Sequence, residues 1–489
     1  MHQRLGSIAW GPLLGFLPWA LLSLAFGLVL GSGAWLLAGI VLGALLAGLL
    51  LASGPWWLAM GWMVLSPTIA VFLNNLLQGI PFFRTERVVF LLLLGGFAAQ
   101  VIFRKLRLAP LGPAERCMAA FLALALAHVL VSLAGKPLGV WSKEDGALLF
   151  DGYLMPMGAF FIARRLAWTP QRVRQFLALL GAAALFLALT APLETLLGIR
   201  WFIPTYLDVI HVLLRATGTF GNAAAYGAVM GSLLLLVALL CTTTPPGGWR
   251  LWWLAVLLAV LAAIVLSKTR AAWVGVAAGL AVVFLRDARS RPMLGLLAAG
   301  VALAAVVAVP WLLASRGFEE RVLDTAPIYN RIAGSGAALN MMLSNPLTGV
   351  GFTRAGFGLH RGQYAVEVGE VSAAWIRELA VPHNEFLNVG AMMGLLGFVL
   401  YLRVFVAVFR GLRRIAQDPA QADFTRSLAV YVTALWVGWC INACFADFAN
   451  LGYVNMLLYF SAGVVAALAA APAAAAGEPA QRGASTAAM

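Results

Sequence analysis

The sequence carries little charge: 11% of its 489 residues are Asp, Glu, Lys or Arg, and only 19 residues are acidic. A soluble globular domain holds about a quarter charged residues, so this chain lacks the polar groups to cover itself in water. Cysteine is scarce as well. The four present, Cys117, Cys241, Cys440 and Cys444, lie in or at the ends of apolar segments, and no pair has the spacing of a metal site or a disulfide framework. They read as packing residues. Alternating apolar and polar runs, the signature of a transmembrane β-barrel, are missing too. What remains is a helical membrane chain, in which each span satisfies its own backbone.

Apolar residues make up 62% of the chain and the mean hydropathy is +0.92. A spanning helix needs about 20 mostly apolar residues. Fourteen stretches qualify: 8–30, 34–52, 55–74, 87–103, 117–135, 147–163, 175–197, 219–241, 250–267, 271–285, 293–314, 389–409, 427–446 and 453–472. Only Ser53-Gly54-Pro55 separates the second from the third, and the tenth is short, so the expected fold is an all-α polytopic membrane protein of about 12–14 transmembrane helices. The first run begins near Ile8 after Arg4, with no small-residue cleavage site, and reads as a retained helix.

The net charge of +14 does not point to nucleic acid. The cations form short clusters between apolar runs, such as Arg104-Lys105-Leu106-Arg107 and Arg410-Gly411-Leu412-Arg413-Arg414, which act as orientation signals and contacts to anionic lipid. With both termini in the cytoplasm, the inner connections are 104–116, 164–174, 242–250, 286–291 and 410–426, which together hold most of the clustered arginines. The alternate connections carry the acids: Glu144, Asp145, Asp208, Glu319, Glu320, Asp324, Glu367, Glu370 and Glu378. One outer connection is exceptional. About 75 residues separate Ala314 from Val389, far more than a loop needs. Its apolar spacing, as at 332–343, predicts short helices of its own. The expected organisation is spans over 1–314, a large periplasmic loop at 315–388, further spans over 389–472 and a disordered cytoplasmic tail at 473–489, which is rich in Ala, Pro, Gly and Ser.

Three outer stretches could carry chemistry. Ser267-Lys268-Thr269-Arg270 places two cations where one span turns into the next, against the positive-inside trend. Snorkelling explains Lys268 readily and Arg270 less well. In the long loop, Tyr329-Asn330-Arg331 precedes a helical stretch and then Ser344-Asn345-Pro346-Leu347-Thr348-Gly349-Val350-Gly351; Arg331 could equally be a solvated helix residue, and the glycines a simple turn. Val381-Pro382-His383-Asn384-Glu385-Phe386-Leu387 puts a histidine at the membrane boundary. A neutral imidazole there suits a general base, although Asn384 could be a helix cap and His383 incidental to it. Two arginines and a histidine beside the membrane suit a substrate carrying a phosphate or diphosphate. No Asp-x-Asp pair occurs in the outer connections, which favours arginines over a metal ion as the stabiliser of a leaving diphosphate.

In their order, Ser267–Arg270, Arg331 with Asn345-Pro346-Leu347-Thr348-Gly349-Val350-Gly351, and His383–Leu387 followed by Gly394-Leu395-Leu396-Gly397 resemble the O-antigen ligase/O-antigen polymerase superfamily. Gly218-Thr219-Phe220-Gly221-Asn222 resembles a further segment of it, and the similarity covers roughly residues 215 to 410. The resemblance implies a bacterial inner-membrane glycosyltransferase of the GT-C type, with no cofactor and no metal, working on the periplasmic side. It implies an undecaprenyl-diphosphate-linked glycan as donor. The acceptor would be lipid A-core in a lipopolysaccharide ligase, a second carrier-linked glycan in a polymerase, or a protein hydroxyl. Arg270 and Arg331 would hold the diphosphate and His383 would activate the acceptor for inverting attack. Lys268, Asn384, Glu385 and Asn222 would support substrate binding. A transporter or flippase for a lipid-linked glycan is the alternative. It should set its charges along a path through the bundle, whereas here the spans hold few candidates: His128 is isolated, and Asp151, Glu194 and Asp447 lie near span ends.

Overall fold

The computed structural model describes residues 55–69, 74, 84–103, 110–134, 146–199, 215–299, 326–353, 356–366 and 381–470. It is 83% helical, and the described residues contain no strand. The chain is an all-α polytopic membrane protein. In chain order the helices are α1 (Pro55–Leu65), α2 (Thr85–Ile102), α3 (Pro113–Ala134), α4 (Met155–Arg165), α5 (Pro170–Leu196), α6 (Ala223–Thr243), α7 (Gly248–Leu266) and α8 (Arg270–Arg286). They continue with α9 (Ala288–Ala299), α10 (Ala326–Ser344), the short α11 (Gly356–His360), α12 (Glu385–Gln417), α13 (Asp423–Ala443) and α14 (Gly452–Ala470).

Eight of these are long and apolar enough to cross a bilayer: α2, α3, α5, α6, α7, α12, α13 and α14. Each lies over a stretch expected from the hydropathy. The stretches 8–30 and 34–52 and the tail fall outside the described residues, as do 315–325 and 367–380 of the long loop. The stretch 147–163 begins as a π-helical segment, Leu148–Leu154, before tightening into α4. The tenth and eleventh stretches meet in a bend: α8 and α9 turn on each other by 111° at Asp287. Within the long loop, α10 covers the helix expected at 332–343.

Helix α12 overruns its expected bounds of 389–409 at both ends. Its buried residues Val404, Phe405, Val408 and Leu412 keep helical spacing past the first arginines, so one face goes on packing after hydropathy has fallen. At the other end Asn384 caps the helix, its side chain accepting from the Leu387 N–H at 3.1 Å.

Helix α6 sits at the centre, with 94% of its apolar window buried in protein, which suits a segment apolar all round. Helices α8 and α13 pack backbone to backbone. A Cβ on Gly275 would lie 2.8 Å from the Gly438 carbonyl and one on Gly438 would lie 2.9 Å from that of Gly275, so only glycine permits the approach.

Contacts across the bundle sort by end. At one end Tyr453 donates to the Met63 carbonyl at 2.8 Å and Thr219 to that of Pro67 at 2.6 Å. At the other, Ser290 and Tyr431 share a hydrogen bond at 2.9 Å, Arg289 pairs with Asp423, and Glu115 pairs with Arg164 and Arg165. Among the described residues, the Arg-rich connections therefore share one end, and the three motif stretches share the opposite one.

Candidate functional site

Just past the end of α7, Lys268 holds φ at 48° in the left-handed region where glycine commonly follows a helix. The flanking residues lock this turn. Ser267 is fully buried and donates to the Ile264 carbonyl at 2.7 Å, while the Thr269 hydroxyl reaches the Ala223 carbonyl at 3.0 Å. Arg215 clamps it from outside, donating from Nε to the Ser267 carbonyl at 3.0 Å and from its terminal nitrogen to the Thr269 hydroxyl at 2.8 Å. Burial, with Arg215 nearby, draws the Lys268 ammonium below its ordinary range. Arg270 follows, half-buried, as the first residue of α8. Asn222 sits next to the same turn. It caps α6, accepting from the Ala224 and Ala225 N–H groups at 2.9 and 3.1 Å.

The second cluster centres on His383, with φ at 55°. Its backbone N–H donates to Asp447 Oδ2 at 3.0 Å, and its Nδ1 lies 3.6 Å from the same oxygen, too far for a hydrogen bond. Glu385 answers across the same seam: its Oε2 accepts from the Ala449 N–H at 2.9 Å. Each stretch thus supplies a carboxylate to the other's backbone, which fixes a strained His383. Its side chain remains 43% exposed whereas that of Asp447 is 3% exposed, so the imidazole meets the surface and the carboxyl supports it from behind.

Arg331 completes this cluster. Helix α10 lies close enough that a Cβ on Gly334 would come within 3.1 Å of the Pro382 carbonyl, and Arg331 is one turn away. Its guanidinium stands 6.0 Å from the centre of the Phe445 ring. Burial, with the Arg331 charge second, holds His383 below the usual imidazole range. Burial, reinforced by Glu385, pushes Asp447 up to about 8. Both shifts favour the uncharged form, so near neutral pH the pair rests as an imidazole beside a protonated carboxyl, not as an ion pair. Asp447 Oδ1 is buried with no hydrogen bond among the described residues.

The two clusters share one end of the bundle through α8 and α13. Gly275 lies against Gly438 and Asn442, and Phe445 stands three residues beyond Asn442. Arg270 is five residues before Gly275, about 7.5 Å toward the same end.

The motif glycines have a structural task. Helix α12 is broken at Gly394, which holds φ 69° and ψ −170°. The loop Asn345–Gly351 lies in the break: the Leu395 N–H donates to the Pro346 carbonyl at 2.7 Å, and the Val350 and Gly351 N–H groups donate to the Ala391 and Met392 carbonyls at 2.8 and 3.2 Å. The break frees backbone groups beside a membrane, and the loop satisfies them.

Glu385, expected among the substrate-binding residues, is fully buried, and it accepts from the Tyr153 and Tyr401 hydroxyls at 3.0 and 3.4 Å as well as from Ala449. Any contribution it makes runs through the position of His383. Glu385→Ala is expected to strand these donors and lower stability by about 3 kcal/mol or more. Glu385→Gln, which keeps an acceptor oxygen, should cost clearly less. Thermal unfolding of the two detergent-solubilised variants makes the comparison.

Two participants escape the sequence motifs. Arg215 had a legible signal, since it is a cation on an outer connection, as Arg270 is. Asp447 had only its place at a span end, because its partner lies 64 positions away.

Among the described residues, eight helices long and apolar enough to cross a membrane, with arginines, a lysine and a histidine–carboxyl pair at one end, define a polytopic membrane protein. Residues 254–402 match the family model described as O-antigen ligase. The match spans 149 of the 489 residues, and over that segment the chain is similar to the O-antigen ligase family. The matched segment contains Lys268, Arg270, Arg331, His383, Asn384 and Glu385, and ends before Asp447. No curated protein matches the chain.

Proposed function

We propose that this chain transfers a glycan from an undecaprenyl-diphosphate carrier to an acceptor hydroxyl on the periplasmic side of a bacterial inner membrane, without a metal ion and with inversion. The observation that carries this reading is His383: a partly exposed imidazole on strained backbone, with a buried carboxyl behind it and the Arg331 charge beside it. Strained residues held by their surroundings gather at functional sites.

In this mechanism Nε2 of His383, the ring nitrogen away from Asp447, takes the proton of the acceptor hydroxyl. The oxygen attacks the anomeric carbon as the bond to the diphosphate oxygen breaks on the opposite face. Arg270 and Arg331 bind the diphosphate and neutralise the charge that develops as it leaves, and Lys268 adds a cation on the same side. Asp447, uncharged at rest, accepts from the His383 backbone N–H and so holds the imidazole in position.

A membrane assay with carrier-linked glycan tests the reading. Arg270→Ala and Arg331→Ala should each lower transfer by about a hundredfold or more, and Lys at either position should rescue poorly because it lacks the planar fork. Chelation by EDTA should leave the rate unchanged; strong inhibition would overturn the metal-free mechanism. A deletion strain resolves the acceptor: unligated long chains mark a ligase, and single repeat units a polymerase.

A further inference from the structure

At the end of the bundle opposite His383, a cleft of about 430 Å³ opens between α3, α4, α12 and α14. Arg164, Arg403, Arg410 and Arg414 line it, with Glu115 the one carboxylate among the described residues. Glu115 is already engaged by Arg164 and Arg165. Arg403, Arg410 and Arg414 make no ion pair or hydrogen bond among the described residues. Their spacing of seven and four residues sets them on one face of α12, over about 16 Å of its axis. The rest of the wall is apolar, including Phe160, Val406 and Ala462.

Like charges around one cleft repel unless an anion lies between them. Guanidinium forks fit phosphate oxygens, and an apolar wall beside them fits hydrocarbon. Phosphate is the shared chemistry of two sources, a lipid headgroup and a soluble anion. The apolar wall decides between them, because a soluble anion has no use for it. We propose that this cleft binds an anionic phospholipid of the leaflet opposite the His383 site, its phosphodiester held by Arg403, Arg410 and Arg414 and its acyl chains laid against α4 and α14. Basic recesses between spans on the cation-rich side are suited to such headgroups.

The test is native mass spectrometry of the full chain, titrated with phosphatidylglycerol or with phosphatidylcholine of the same acyl chains. Phosphatidylglycerol should bind about tenfold tighter or more. The double variant Arg410→Gln/Arg414→Gln should lower its affinity by roughly thirtyfold. Arg413→Gln is the control: Arg413 is on the same helix, outside the cleft, with its Nε on Gln417, and its loss should leave binding unchanged. Equal binding of the two lipids, an equal loss in Arg413→Gln, or full displacement by inorganic phosphate would each overturn the proposal. Should the double variant misfold, Arg403→Gln and the lipid and phosphate titrations of the unmodified chain still decide it.

Discussion

His383→Ala is expected to lower glycan transfer by about 10²–10⁴-fold, the range a positioned general base contributes, while carrier-lipid binding persists. Alanine also loses the left-handed preference of the position, so His383→Asn is the sharper variant. Asparagine adopts positive φ readily and keeps the backbone N–H on Asp447, yet it cannot take a proton at neutral pH. Turnover retained in the Asn variant would remove His383 as the base. The pH profile adds a second readout. Only the neutral imidazole is a base, so kcat/KM of the free enzyme should fall as pH drops through the His383 pKa, which burial and Arg331 hold below the ordinary value. Arg331→Ala removes one depressing charge, so its acidic limb should move to higher pH. A purely structural arginine would leave that limb in place. Asp447→Asn keeps an acceptor for the His383 N–H and should change kcat little, whereas Asp447→Ala removes that acceptor and should lower kcat more than the affinity for the carrier lipid.

Gly394→Ala should destabilise the protein by on the order of 3 kcal/mol or more. At φ 69° and ψ −170° only glycine is at ease, and a Cβ would stand 2.5 Å from the Pro346 carbonyl oxygen. Gly349→Ala attacks the same joint from the other side, placing a Cβ 2.4 Å from the Ala391 carbonyl oxygen at φ 61°. Both variants should lower the thermal unfolding midpoint sharply. The control is Gly95→Ala in α2, where a Cβ meets nothing within 4 Å, and a small gain of about 0.5–1 kcal/mol is expected. Transfer activity should fall with the Gly394 and Gly349 variants as well, because Asn384 and His383 stand at the start of the broken helix. If Gly394→Ala unfolds no earlier than Gly95→Ala, the joint is not what holds the break.

The two kinds of glycine show how far a sequence carries. The Asn345–Gly351 stretch is visible as a turn because Pro and Gly punctuate the chain locally. Its partner is not visible: nothing near Gly394 says that a helix breaks there, or that residues 346–351 fill the break. Asn384 was open between capping and substrate contact, and the structure shows it capping α12. Hydropathy cut α12 at Arg410, although Val404, Phe405, Val408 and Leu412 keep it helical and packed to Gln417.

The sequence by itself determined that this chain is a helical membrane protein, with its arginine-rich connections on one side and its three motifs on the other. Those properties follow from composition and from charge along the chain, which need no partner. Only the tertiary structure decided that Asp447 stands behind His383, that Arg331 bears on its charge, that Arg215 clamps the Lys268 turn and that Glu385 faces inward to two tyrosines. The physical reason is range. Burial in lipid is a property of each segment, whereas a proton's affinity for an imidazole depends on which charges and walls the fold brings within a few ångströms of it.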